Sequence, residues 1–185
     1  MPISQKKIEE LSQFYLKNGF DHSTDEIVDG MNISRKTFFN RYKSKENSVQ
    51  MVLDAWYENI RERFQEKAAQ CNHAVEKLVL FGYEIHYIRH TEHIFFQHIE
   101  ALDLLDSKDL PFVQILADIL RDGINHYQFN ERTDEVLYAR YIMNTISKYK
   151  YTTAERKEIT RFLLSPILTE RTISLLKELD YDDYV

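Results

Sequence analysis

The sequence predicts an all-α protein, and three observations lead there. Breakers are scarce: 4 glycines and 3 prolines in 185 residues, too few for a sandwich or barrel built on tight turns. Charged residues make up 29% and apolar residues 43%, a mixture that suits amphipathic helices around a core and not a disordered chain. Apolar positions recur at helical spacing along the chain, in about nine segments. The length suits one compact domain, or a small domain on a larger one. The longest apolar runs are four residues, such as Leu78–Phe81, so no segment is expected to cross a membrane. The polar stretch Met1–Lys7 is unlike a signal peptide. The single Cys71 makes no internal disulfide and no thiolate metal cage. A cytoplasmic helical protein is expected.

The elements follow in order. Ile3 to Asn18 forms a first helix, with Ile8, Leu11 and Tyr15 on one stripe and Asn18-Gly19 as its stop signal. Ser23 or Thr24 caps a short second helix to about Met31, with Asp25 and Glu26 at its positive end. Asn32 tolerates the left-handed conformation of a tight turn, and Ser34 caps a third short helix, Arg35 to Tyr42. Ser44 caps a long fourth helix reaching about Gln70. Further helical segments are expected over Ala74–His90, His93–Leu105, Leu110–Phe129, Thr133–Tyr149 and Ala154–Leu179, the last kinked or split at Pro166. The acidic tail Asp180–Val185 is expected to fray.

Charge is unevenly spread. The whole chain carries −6, yet Asn32–Ser48 holds five basic residues (Arg35, Lys36, Arg41, Lys43, Lys45) against one acidic residue, Glu46. A local basic patch binds phosphate whatever the sign of the whole chain; the plainer alternative is a solvated helix face. Two short helices joined by a tight turn, the second basic and capped by Ser, describe a helix-turn-helix. In that unit the second helix enters the major groove with its N-terminal residues toward base edges. Ser34, Arg35, Lys36, Thr37 and Asn40 suit that task, and Ile27, Val28, Ile33 and Phe38 hold the unit together. The helix start at Ser44-Lys45 offers free N–H groups and a positive dipole end to a phosphate.

Gly19-Phe20, Ile27-Val28 and the run from Asn32 to Glu46 (Asn-Ile-Ser-Arg-Lys-Thr-Phe-Phe-Asn-Arg-Tyr-Lys-Ser-Lys-Glu) resemble the N-terminal DNA-binding domain of TetR/AcrR-type transcriptional regulators. Asn32 replaces the usual turn glycine, and Lys36 stands where glycine is common. Phe39 stands where the family usually has a phosphate-touching tyrosine, and Arg41 at the common histidine position. The loop after Gly19 is one residue short of the usual spacing. The resemblance implies base-edge or nearby contacts from Arg35, Lys36, Thr37 and Asn40. It implies backbone contacts from Ser23, Ser34, Arg41, Tyr42 and Lys45, with Phe39 among them by position. Tyr42 has an alternative reading as pure core.

The resemblance also implies a DNA-binding domain over residues 1–47 and a ligand-binding and dimerisation domain over residues 48–185. The expected small-molecule pocket draws on Trp56, Phe64, Tyr83, His86, Tyr87, His90, Phe95 and Phe96, although aromatic stripes at helical spacing are also what a plain core contains. His86 and His90 are four residues apart, a spacing that suits a metal or a polar effector, but surface or pocket-lining histidines are the simpler reading and no metal is expected. The expected dimer face uses Tyr138, Tyr141, Ile142, Thr145, Ile146, Tyr149, Phe162, Leu163 and Ile167; this stripe could also be internal core.

The implied function is a sequence-specific regulator, a homodimeric repressor released from a palindromic operator by an unidentified effector. An activator or corepressor-dependent regulator is the alternative, as is a helical ligand-binding or interaction module without DNA binding. An enzyme is not expected: the chain has no Gly-rich phosphate loop, no His-Glu-x-x-His, no Cys-His arrangement and no Gly-x-Ser-x-Gly.

Overall fold

Capping chemistry sets the helix boundaries of the N-terminal unit. A computed structural model describes residues 4–102, 110–148, 153–170 and 172–174. Helix α1 (Gln5–Asn18) stops at Gly19, whose φ of +83° only glycine adopts freely and whose N–H bonds Tyr15 O at 2.8 Å. Helix α2 (Thr24–Gly30) opens with a reciprocal box: Ser23 Oγ accepts from Glu26 N at 3.3 Å and Glu26 Oε2 accepts from Ser23 N at 2.7 Å. The turn after it places Asn32 at φ 52°, in the left-handed region expected of it. Gly30 serves close approach instead, because a Cβ there would lie 2.4 Å from Phe14 Cε2.

Helix α3 (Arg35–Tyr42) is capped by Ser34 Oγ, which accepts from Thr37 N at 3.1 Å. Lys43 then turns the chain at φ 69°, and Ser44 N bonds Tyr42 O at 2.8 Å. That tight turn separates α3 from α4 (Lys45–Ala68), which Ser44 caps.

The body is α4 with α5 (Ala74–Thr91), α6 (His93–Ala101), α7 (Pro111–Asn125), α8 (Glu135–Lys148) and α9 (Thr153–Leu164). Glu92 alone separates α5 from α6. Helix α7 ends four residues before Phe129, earlier than the apolar pattern predicts. Gly123 O accepts the N–H groups of Gln128 and Phe129, and Tyr127 takes φ 57°. The Phe129 ring thereby folds over Gly123, where a Cβ would meet it at 2.2 Å. Pro166 splits the last expected helix. Helix α9 stops at Leu164, and after a turn Leu168 pairs with Phe129 in an antiparallel bridge. The expected continuations to Leu105 and Leu179, and the tail Asp180–Val185, lie outside the described residues.

One hydrophobic core joins the two parts, running from Leu11 and Tyr15 through Trp56 and Phe95 to Ile167. The joint between them is aromatic. Tyr15 stacks on Phe20 (4.7 Å between centroids), Phe20 meets Phe95 edge-on (5.2 Å), Phe95 stacks on Trp56 (5.1 Å), and Phe20 also stacks on His98 (4.1 Å). Residues 47 and 48, the expected domain boundary, fall within the first turns of α4, and there Ser48 Oγ bonds Tyr15 OH at 2.8 Å. Among the described residues no helix is long and apolar enough to cross a membrane.

Candidate nucleic-acid interface

Helix α3 has two faces, and burial separates them. Phe38 and Tyr42, four residues apart, are fully buried and fasten the helix to the unit. Arg35, Lys36, Phe39 and Asn40 lie on the opposite side, exposed, with Lys43 continuing the stripe. Phe39, 45% exposed, is a large apolar side chain held in the open on that face. Thr37 and Arg41 are half-buried at its edges. The side chain of Thr37 is engaged by Ser34 (Oγ to Oγ1 2.8 Å), and the Ser23 hydroxyl is engaged by Glu26.

Tyr42 is not on this surface. Its ring is fully buried and its hydroxyl donates to Lys7 O at 3.1 Å. Its spacing from Phe38 puts it on the inward face, so the core reading holds and the DNA-backbone contact does not. The start of α4 is also less open than the sequence suggests. Lys45 is half-buried there, and the Glu46 carboxylate accepts from its own backbone N–H and from the Ser44 hydroxyl, which hold it below the ordinary carboxylate range. Sequence reasoning missed Asp25 on this surface. Its carboxylate takes the Arg35 guanidinium through Nε and Nη2, tying the first turn of α2 to the first residue of α3.

The residues of the expected ligand pocket divide between the core and the surface. Trp56, Phe95 and Phe96 are buried core, and Trp56 Nε1 donates to the Glu92 carboxylate. Glu92 also accepts from Arg63 Nη1 (3.3 Å), and Glu84, 3% exposed, accepts from Arg63 Nε (3.3 Å) and from Lys67. Tyr87 is exposed and lies beneath Arg63, 5.4 Å from ring centroid to guanidinium. Tyr83 and His86 are half-buried, and His90 is exposed. A cleft of about 720 Å³ opens on another side of α4, against α5 and α7. Its apolar wall includes Phe64, Ala68, Pro111, Ile115 and Ile119, and Arg61, Lys77, Asp118 and Asp122 supply charge. Of the expected pocket residues only Phe64 lines it. Among the described residues no group of three His, Cys, Asp or Glu side chains forms a metal site.

The expected dimer stripe divides in the same way. Ile142, where α8 packs on α7 and α5, is buried in the chain's own core, as are Leu163 on α9 and Ile167 after it. The Tyr138 hydroxyl donates to Leu163 O, and Thr145 and Ile146 are half-buried. Tyr141 and Phe162 are exposed, Phe162 at 71%, and Leu137 joins them one turn before Tyr141. Tyr149 lies outside the described residues.

No protein-family model and no curated protein matches the chain by sequence. Solved structures do match in shape. The transcriptional regulator FadR from Bacillus subtilis, solved with stearoyl-CoA, superposes with a TM-score of 0.66 at 21% identity, over 85% of this chain and 96% of its own. A TetR-family transcriptional regulator from Pectobacterium atrosepticum gives 0.65 at 13% identity, over 90% and 98%. A gamma-butyrolactone receptor gives 0.62 at 12% identity, over 96% and 94%. The likeness is one of fold: the chain has the TetR-type fold, an N-terminal helix-turn-helix unit on a helical body.

Proposed function

We propose that the protein is a sequence-specific DNA-binding transcriptional regulator that works in the cytoplasm. The observation that carries this reading is the outward face of α3. Arg35, Lys36, Phe39 and Asn40 stand together on the exposed side of a short helix whose other side is locked by Phe38 and Tyr42. Lys and Arg heads reach phosphates, Asn reads adenine, Arg reads guanine, and an apolar side chain can meet a thymine methyl.

The protein acts as a homodimer. Two copies paired through the exposed Leu137, Tyr141 and Phe162 of α8 and α9 would present two recognition helices to successive major grooves, about 34–36 Å apart on a palindromic operator. Its mode is repression relieved by a small molecule. The cleft beside α4 falls in the usual size range of ligand sites. Because α4 both lines that cleft and begins at the DNA-binding unit, a ligand wedged against α7 would shift the unit. Among proteins of like fold, one was solved with stearoyl-CoA and another is a gamma-butyrolactone receptor. These support an organic effector with an apolar body. A corepressed regulator would show the opposite sign of coupling.

The test is fluorescence anisotropy with the DNA upstream of the protein's own gene and with a genomic fragment library, at two salt concentrations, alongside Lys45→Ala. Selective, salt-sensitive binding by a dimer is expected, with Lys45→Ala weakening all sequences alike. Absence of selective binding to any fragment would overturn the reading and leave a helical interaction module.

A further inference from the structure

An arginine on an exposed helix face normally samples many rotamers and settles on the nearest phosphate. In this structure Arg35 instead takes one bidentate arrangement. Asp25, projecting from the first turn of α2, accepts from both Nε and Nη2, so one full edge of the guanidinium is occupied. The guanidinium is planar and carries five donors in a fixed fork. With the Nε/Nη2 edge taken, the adjoining Nη1/Nη2 edge is the remaining pair of parallel donors. Two parallel donors match the O6 and N7 acceptors of guanine in the major groove. Arg35 is the first residue of α3, and the N-terminal residues of a recognition helix are those that reach base edges. Lys36 beside it is exposed, and an unfixed ammonium is suited to phosphate as a point charge. Asp25 adds a second effect: its negative charge repels phosphate from the spot where Arg35 is held.

We propose that Asp25 is a positioning residue that orients Arg35 to read one guanine in each half of the operator, turning a phosphate-binding side chain into a base-reading one. This rests on the DNA-binding function proposed above.

Selection from a randomised duplex library with the full-length protein tests it, using wild type, Asp25→Ala, Asp25→Asn and Arg35→Lys. Wild type enriches half-sites with an invariant guanine. Arg35→Lys relaxes that position alone, by about tenfold to a hundredfold in discrimination, the range of one bidentate base contact. Asp25→Ala and Asp25→Asn relax the same position while their affinity for non-specific duplex stays level or rises. Both Asp25 variants should melt as wild type does, since the pair is exposed. If they bind every sequence more tightly with the guanine preference intact, Asp25 only dampens charge and the proposal falls. It falls equally if the position that responds to Arg35→Lys is not guanine. If wild type enriches no sequence at all, the DNA-binding function itself fails, an outcome distinct from both.

Discussion

The N-terminal unit and the helical body treat their cations in opposite ways. In the N-terminal unit, Arg35 meets one carboxylate in the open, and Lys36 and Asn40 stand exposed beside it. In the body, Arg63 and Lys67 turn toward Glu84 and Glu92, and Trp56 contributes its indole N–H to the same cluster. The outward charges keep donors available for a partner. The inward charges pair with one another between α4, α5 and the start of α6, where Arg63 Nη2 alone is left buried without a hydrogen-bond partner among the described residues. The same residue types are therefore left open to a partner in one place and serve cohesion in the other, and burial makes the difference: an ion pair in water is worth little, while a buried one fails badly when half of it is removed.

The largest effect expected from this contrast is on stability. Glu84→Ala removes the buried acceptor that Arg63 and Lys67 share; Arg63 keeps Glu92 and the half-exposed Lys67 turns to water, so unfolding stability should fall by about 1–3 kcal/mol in urea titrations. Asp25→Ala, the exposed counterpart, should leave the urea midpoint nearly unchanged. Equal losses at the two sites would break the comparison.

Two glycines sharpen it next. Gly30→Ala drives a methyl into Phe14 and should destabilise by about 1–3 kcal/mol. Gly82, inside α5 with nothing near its missing Cβ, should gain about 0.5–1 kcal/mol on Gly82→Ala, read as a higher melting temperature.

Smaller effects are expected at the joint. Tyr15→Phe removes the bond to Ser48 that ties α1 to α4, while Ser48 keeps Lys45 O as an acceptor. The cost should be about 1 kcal/mol in thermal unfolding.

The last prediction is a pH slope. Burial first, and then the Lys45 charge, hold the His98 imidazole below its ordinary range as it stacks on Phe20. The fold favours the neutral ring. Its contribution is therefore full above the unfolded value of about 6.5 and is lost as pH falls through it toward the lower folded value. His98→Phe should flatten the stability profile in that window; an unchanged slope would mean that His98 protonates without cost to the joint.

The N-terminal helix-turn-helix unit was legible in the sequence to the residue at α3, since Ser34, Asn32 and Gly19 act through backbone geometry within a few positions. The breaks at Lys43 and between His90 and His93 were legible too, whereas the ending of α7 before Phe129 was not, because it depends on the Phe129 ring folding back over Gly123. The stripe on α8 and α9 had the right period for a dimer face, yet period cannot say which flank meets the chain's own core, and Ile142, Leu163 and Ile167 went inward.

The sequence by itself determined the all-helical class, the caps and breaks of the first three helices, and the basic face of α3. Those follow from propensity, hydrogen bonding and charge over three or four residues, the range in which a helix repeats. Only the tertiary structure decided that Tyr42 belongs to the core, that Arg63 is matched to Glu84 and Glu92, that the cleft lies against α7, and that Asp25 grips Arg35. These depend on residues ten or more apart meeting, and such meetings are set by which helix faces bury the most apolar surface together.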